Sequence, residues 1–436
     1  MSSSTQNSPP EQPGFRPESL MMSYGYKPAL SEGAIKPPVF LTSSFTFPSA
    51  QAGAEFFDRM SGRKPGAPGE NQGLIYSRFN HPNMEIAEDR LALLEQADSA
   101  AVFASGMAAI SAIFMTFLRP GNVLLYCTPL YGGTETLIRN VLPQWGVRPL
   151  EVACEDLAAQ LPDALAAARD MGRLAMVYLE SPANPTNVQV DFDFVRKEVA
   201  QATPAGERPA LIVCDNTLLG PVFSSPLRFG VDLCAYSLTK YVGGHSDLVA
   251  GSVVGPSALV QQVRQTRSAF GSQLDPHTCW MICRSLETLT IRMQRAASSG
   301  SRVAAWLAGN PYAPVQLYHP EHMQGEQKRL YEKQCIGPGS TFSFVVPGGR
   351  AQAFAIIDGL RLVKSAVSLG GTESLVCHPA STTHSGVPQA RREAAGVVEG
   401  LIRLSVGLEH PDDLISDLDQ AFAKVFMLGD THSPSP

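Results

Sequence analysis

Leu233-Cys-Ala-Tyr-Ser-Leu-Thr-Lys240 is an apolar run that ends in hydroxyls and a lysine, and Gly243-Gly244-His245 follow it. Its length and composition predict a buried strand that delivers Lys240 at its carboxyl end. A lysine there is costly to desolvate unless it is paired or used chemically. Burial also lowers an amine's pKa and favours the neutral, nucleophilic form. Upstream, Ala210-Leu-Ile-Val-Cys-Asp215 repeats the pattern with a carboxylate at the tip. Ala100 to Ala104, Val123 to Tyr126 and Ala175 to Leu179 read as further buried strands. Helical segments alternate with them, from Asn83 (as the cap) through Gln96, from about Gly106 and from about Gly133. Such alternation predicts parallel pairing and an α/β layered fold.

Outside this region the pattern changes. Before residue 76 turn formers dominate, and Gly62 to Gly73 is a loop. Residues 1–75 therefore read as a disordered tail and an extended arm, and residues 76–290 as the α/β domain. A long helix from Ser285 to about Leu307, a strand from Thr341 to Val346 and a final helix from Asp412 to Phe426 point to a smaller α+β domain over 291–436. Residues 1–14 and 431–436 are polar and proline-containing and read as disordered ends.

A length of 436 residues is enough for a large core, and 44% hydrophobic with 17% charged residues is ordinary for a globular protein. The net charge of -6 gives no electrostatic reason to expect nucleic acid. No apolar run reaches the roughly 18 residues that a membrane span needs, and no secretory signal is visible at the start. The eight cysteines are scattered without a C-x-x-C pair. They read as reduced thiols of a cytoplasmic protein rather than zinc ligands, so no metal is expected.

In open α/β folds, ligands gather at the carboxyl ends of the strands. Asp215 and Lys240 at two such ends fit a pyridoxal-phosphate (PLP) site, with the acid keeping the pyridine nitrogen protonated and the lysine forming a Schiff base. An ordinary ion pair, or an Asp that caps a turn, fits the same residues. Ser105-Gly106-Met107 opens a helix after a strand, where free amides hold a phosphate; Ser237 and Thr239 add hydroxyls. Tyr131 lies just beyond another strand, where it either stacks on a flat ring or simply packs. Arg403, in Ile402-Arg-Leu-Ser-Val-Gly-Leu-Glu409, suits bidentate capture of a carboxylate, or else a salt bridge to Glu409.

The run Tyr236-Ser-Leu-Thr-Lys-Tyr-Val-Gly-Gly-His-Ser-Asp247 resembles the lysine motif of the trans-sulfuration family of PLP enzymes. Tyr76-Ser-Arg78, Ala104-Ser-Gly-Met-Ala-Ala109, Leu130-Tyr-Gly-Gly-Thr134, Glu180-Ser-Pro-Ala-Asn-Pro-Thr186, Asp215-Asn-Thr217, His378-Pro-Ala-Ser-Thr-Thr-His384 and Arg403-Leu-Ser-Val-Gly407 are similar to other family motifs. They keep the family's order from about residue 24 to the C-terminus. The resemblance implies an aspartate-aminotransferase-like (fold type I) architecture and a homotetramer of two tight dimers. It implies that Asn184 approaches the ring hydroxyl and that Gly106, Met107, Ser237 and Thr239, beside Ser105, hold the phosphate. Tyr76 and Arg78 are expected to reach the phosphate of a neighbouring subunit. Arg403, helped by Ser368, is expected to bind the substrate carboxylate, and Tyr131 to stack on the ring and serve as a proton donor.

Two positions depart from the family's lyases. Methionine γ-lyases usually have a cysteine two residues after the stacking tyrosine, where this chain has Gly133. Cystathionine γ-lyases usually have a glutamate before the serine of Ser-Leu-Gly-Gly, where this chain has Val367. The expectation is accordingly a γ-replacement enzyme resembling cystathionine γ-synthase, which joins an activated homoserine ester to a thiol. A γ-lyase is the runner-up, and a catalytically silent PLP-binding protein is the third reading.

Overall fold

The computed structural model describes residues 14–60, 63–64, 73–312 and 314–427. The expected disordered ends and the loop from Gly62 to Gly73 fall outside the described residues, apart from Gly14, Arg63, Lys64 and Gly73. Seven strands form the larger sheet: β1 (Ser99–Phe103), β2 (Asn122–Thr128), β3 (Arg148–Ala153), β4 (Arg173–Glu180), β5 (Leu211–Asp215), β6 (Leu233–Ser237) and β7 (Gly251–Gly255). Their spatial order is β1-β7-β6-β5-β4-β2-β3.

Alternate residues of the central strands feed two cores. Leu125, Val177, Leu179, Ile212 and Cys214 face one, while Leu124, Tyr126, Met176, Tyr178 and Val213 face the other. Such strands are apolar on both sides because helices cover both faces of the sheet, which is why they read as continuous apolar runs. The five neighbours from β6 to β3 pair in parallel as expected, but β7 runs antiparallel to both β6 and β1. The edge strand β3 went unread because Arg-Pro-Leu-Glu-Val-Ala carries little apolar signal.

The second sheet holds β8 (Gln316–Tyr318), β9 (Thr341–Val345), β10 (Lys364–Ser365), β11 (Leu375–Cys377) and β12 (Leu401–Ser405), ordered β10-β11-β12-β9-β8. The helix Pro411–Phe426 buries Leu414, Leu418, Ala421 and Phe422 against it.

Three local expectations need correction. The helix Pro82–Glu95 is capped by His81, whose Nδ1 accepts from the Met84 amide at 3.1 Å. Asn83 is buried instead and spans the arm, bonding Phe40 N at 2.9 Å and Pro38 O at 2.8 Å. The long helix from Ser285 is two helices, Pro276–Leu286 and Leu289–Gly309, broken at Glu287 and Thr288. The arm is not wholly extended, since Ala50–Met60 is helical.

Glu88, buried on the helix Pro82–Glu95, binds Arg264 and Arg267 at 2.6 Å each and the Val102 amide at 3.0 Å. This ties that helix to β1 and to the helix Ser257–Phe270.

Candidate active site

Neighbouring parallel strands end on the same edge, so β4, β5 and β6 present Glu180, Asp215 and Ser237 side by side, with Glu180 opposite Asp215 in the register. The turn after β6 brings Lys240 to the same edge.

Asp215 is buried, and burial pushes its pKa up against the pull of Thr217 and of the Lys240 charge. Its Oδ1 accepts from Thr217 N at 3.0 Å and from Thr217 Oγ1 at 2.5 Å. The same Thr217 hydroxyl accepts from Ser237 N at 2.9 Å, so one side chain fixes the tips of β5 and β6 together.

Lys240 Nζ donates to Ser368 Oγ at 2.8 Å. Burial first, and the Arg403 charge second, push its pKa down to about 8, while Asp215 acts the other way. Ser368 sits at φ 91°, a conformation that residues with a side chain rarely adopt.

Arg403 is buried on β12, where its Nη1 donates to Asn184 Oδ1 at 3.1 Å and its Nη2 to Ser368 O at 3.0 Å. The salt bridge to Glu409 is absent among the described residues. Glu409 instead accepts from Ser374 N and Ser374 Oγ, each at 2.7 Å.

The phosphate-binding candidates also converge. Ser105 caps the helix Gly106–Phe117, its Oγ accepting from Ala108 N at 3.0 Å, which leaves the Gly106 and Met107 amides ahead of the first intrahelical bonds. A Cβ at Gly106 would stand 3.0 Å from the Ser237 Cβ, and one at Gly251 would stand 2.2 Å from Ser105 O. Side chains there would fill the cradle. Thr239 Oγ1 exchanges hydrogen bonds with the Ala250 backbone at 3.0 and 3.2 Å, which pins the turn that carries Lys240.

Tyr131 and Asn184 meet through Glu180, whose Oε2 accepts from Tyr131 N at 2.8 Å and whose Oε1 accepts from Asn184 N at 2.9 Å. Tyr76 and Arg78 stay apart from this group. Tyr76 is 41% exposed and bridges to Ser44. Arg78 Nη1 donates to Ser268 O at 2.7 Å, with its guanidinium 4.5 Å from the centre of the Phe79 ring.

A carboxylate, a buried amine, a helix-start cradle and a guanidinium fork suit a molecule with a basic ring nitrogen, an aldehyde and a phosphate. PLP has those three groups. A model of the Cys/Met metabolism PLP-dependent enzyme family matches residues 18–423. The chain belongs to this family.

Members of the Cys/Met metabolism family are PLP-dependent, so the cofactor is PLP, and the likeness to solved members of the family makes the fold the fold type I architecture. The chain is 37% identical over 411 residues to L-methionine gamma-lyase of Pseudomonas putida, covering 94% of this chain and 97% of that protein. Cystathionine gamma synthase of Xanthomonas oryzae pv. oryzae, solved with aminoacrylate and cysteine, superposes with a TM-score of 0.83 at 31% identity, covering 95% of this chain and 99% of that one. Cystathionine gamma-lyase of Lactobacillus plantarum, solved with L-serine, gives 0.82 at 30% identity, covering 94% and 99%.

Glu180 and Thr217 carry no expected role in the sequence. The signal for Glu180 was present, since it ends an apolar strand as Asp215 does. Thr217 becomes visible only when β6 is laid beside β5.

Proposed function

We propose that this chain is a γ-lyase of sulfur-containing amino acids, which converts a thioether substrate and water into a thiol, a 2-oxo acid and ammonia. One observation carries the reading: Ser368 accepts the Lys240 amine on its hydroxyl at 2.8 Å and the Arg403 guanidinium on its carbonyl at 3.0 Å. A base and a carboxylate fork thus meet on one residue, as the adjoining Cα and carboxylate of an amino acid require. Elimination is favoured over replacement because relatives similar in sequence over most of their length, at 34–37% identity, are methionine and cystathionine γ-lyases, while the structural likeness to synthase and lyase is nearly equal. Val367, exposed and uncharged beside Ser368, suits a γ substituent without a second charged end.

In this reading Lys240 is the point of covalent attachment and the base. Asp215 would hold the pyridine nitrogen, Asn184 would serve the ring hydroxyl, and Tyr131 would pack on the ring. Ser105, Gly106, Met107, Ser237 and Thr239 hold the phosphate. PLP, when bound, supplies an electron-withdrawing ring that stores the charge left at Cα. Lys240 Nζ removes the Cα proton and moves protons between Cα and Cβ; a pKa of about 8 leaves it partly neutral at neutral pH. The Tyr131 hydroxyl donates a proton to the sulfur that leaves Cγ. Arg403 holds the carboxylate in a fork that lysine does not reproduce.

The test is a substrate panel on PLP-loaded protein: methionine, cystathionine, O-acetylhomoserine and O-succinylhomoserine, each with and without cysteine. Oxo acid and ammonia released from a thioether at a rate indifferent to cysteine is the expected result. Cystathionine made from an ester and cysteine faster than any oxo acid would overturn it. That outcome would establish the second reading, a cystathionine γ-synthase type of replacement, which the likeness to the Xanthomonas enzyme supports.

Self-association belongs to the same proposal, as a homotetramer of two tight dimers in which Tyr76 and Arg78 complete a neighbour's phosphate site. The arm that precedes them exposes Leu30, Ile35 and Leu41, apolar side chains suited to burial against a second copy. Light scattering of the eluted protein should give four chains, and a monomer would refute it. The division near residue 290 is supported by a separate core running from Val303 to Phe422. A cytoplasmic location accords with eight buried thiols, none in a disulfide. Among the described residues, no helix is long and apolar enough to cross a membrane.

A further inference from the structure

Glu180 is buried at the end of β4, and its carboxylate oxygens are divided between two backbone amides rather than two side chains. Oε2 takes the Tyr131 amide at 2.8 Å and Oε1 takes the Asn184 amide at 2.9 Å. Tyr131 follows β2 and caps the helix Gly132–Thr136, and Asn184 lies in the loop after β4, so a single carboxylate ties a helix start to a loop. No strand pairing fixes either point, because β2 ends at Thr128 and β4 ends at Glu180 itself.

The surroundings leave the helix start at Tyr131 little freedom to sit elsewhere. A Cβ at Gly132 would lie 2.5 Å from Thr383 O, so the backbone there is pressed against the segment after β11. On the other side, a Cβ at Gly133 would lie 2.7 Å from the Tyr131 ring. Asn184 in turn carries Arg403 on its Oδ1 at 3.1 Å. The Glu180 carboxyl therefore stands behind the ring-facing tyrosine, the ring-facing amide and, through that amide, the carboxylate-binding guanidinium.

We propose that Glu180 is a positioning residue, which sets the tilt of the bound cofactor by holding Tyr131 and Asn184 at a fixed separation through their backbone amides. It touches neither substrate nor cofactor. The inference rests on the proposed placement of Tyr131 and Asn184 about the PLP ring. It does not depend on whether the reaction is elimination or replacement. Two amide donors demand two acceptor oxygens, and glutamine offers one, with an NH2 group directed at the other amide. Burial and the Asp215 charge beside it raise the Glu180 pKa to about 8, yet the neutral acid keeps one carbonyl oxygen and one hydroxyl oxygen able to accept.

The experiment uses the PLP-loaded full-length protein in three forms: wild type, Glu180→Gln and Lys240→Ala. Visible circular dichroism reports the asymmetry of the bound cofactor, and PLP release into a scavenging buffer reports its retention. Wild type should show a visible band that Lys240→Ala abolishes. Failure of that arm would remove the proposed site itself and leave no ring to position. With that arm intact, Glu180→Gln should alter the visible ellipticity, speed PLP release at least tenfold and lower kcat about tenfold, with KM changed less than threefold. Ellipticity and release identical to wild type would overturn the proposal. If Glu180→Gln does not fold, Glu180→Asp keeps both acceptors but draws them back by one methylene. It should then show the same change in ellipticity, and a wild-type signal from that variant would equally overturn it.

Discussion

Lys240 Nζ donates to Ser368 Oγ at 2.8 Å across the boundary between the two sheets, so the amine at the end of β6 is oriented by a residue from the smaller sheet's side. The contact also places the amine near the Arg403 charge, the second cause of its lowered pKa after burial. The neutral amine is the nucleophile, so covalent capture of PLP by the apoprotein should accelerate as pH rises through about 8 and then level off. Stopped-flow absorbance across pH 6 to 11 measures this. A midpoint near the ordinary lysine value of 10.5 would show that the buried setting does not exist.

Arg403 divides its guanidinium between Asn184 Oδ1 and Ser368 O, two acceptors in different directions. A lysine keeps the charge but not the fork. Arg403→Lys should therefore raise KM for an amino-acid substrate by ten- to a hundredfold, about 1.4 to 2.7 kcal/mol of lost binding. The effect on kcat should be smaller, and steady-state kinetics on PLP-loaded protein separates the two. An unchanged KM would remove Arg403 from the carboxylate site.

Asp215, Lys240 and Arg403 were legible in the sequence because each breaks an apolar run, and a charge at the end of such a run needs a reason. The central strands were legible for the same reason, being apolar on both faces. What escaped depended on partners distant in the chain. His81 rather than Asn83 caps its helix because Asn83 is drawn to Phe40 and Pro38, 43 and 45 residues away. The break at Glu287 and Thr288 carries no glycine or proline to announce it. Thr288 Oγ1 accepts from Arg292 Nε at 3.2 Å, a local link invisible to periodicity. The antiparallel β7 was hidden because alternating strands and helices signal parallel pairing and no helix separates β6 from β7.

Gly251 on β7 lies so close to the cradle that an added Cβ would come within 2.2 Å of Ser105 O. Both partners are backbone and have no rotamer to yield. Gly251→Ala must push the start of the helix Gly106–Phe117 away from the end of β6, at about 1–3 kcal/mol as for other overpacked sites. PLP affinity should fall at least fivefold while the far-ultraviolet spectrum stays that of the wild type. Equilibrium dialysis of the cofactor checks it, and an unaltered affinity would mean that this junction does not hold the phosphate.

Gly133 leaves room for the Tyr131 ring, which would meet a Cβ at that position at 2.7 Å. The ring is 44% exposed and able to swing, so Gly133→Val should fold normally with the ring displaced. If Tyr131 gives the proton that the departing sulfur receives, kcat for thioether cleavage should fall about tenfold in Gly133→Val and in Tyr131→Phe. The double variant should be no slower than the worse single one, since both remove the same interaction. Additive losses would show that position 133 acts by another route.

Glu95 ends its helix fully buried, accepting from Tyr236 Oη and, at 3.3 Å, from Ser225 Oγ. Burial dominates and raises its pKa from 4.5 to about 7, against the pull of these hydrogen bonds. The folded chain therefore holds a proton that the unfolded chain has released, and the unfolding free energy should decline as pH rises from 4.5 to about 7. The contribution of this one group is at most about 1.4 kcal/mol per pH unit. Other buried groups titrate in the same window, so the measurable quantity is the difference between wild type and Glu95→Gln. Urea unfolding at half-unit steps of pH should show the variant losing this slope below pH 7 while keeping the rest of the curve. Parallel curves for the two proteins across that window would mean that Glu95 is ionised in the fold, with Tyr236 and Ser225 sufficient to hold its charge.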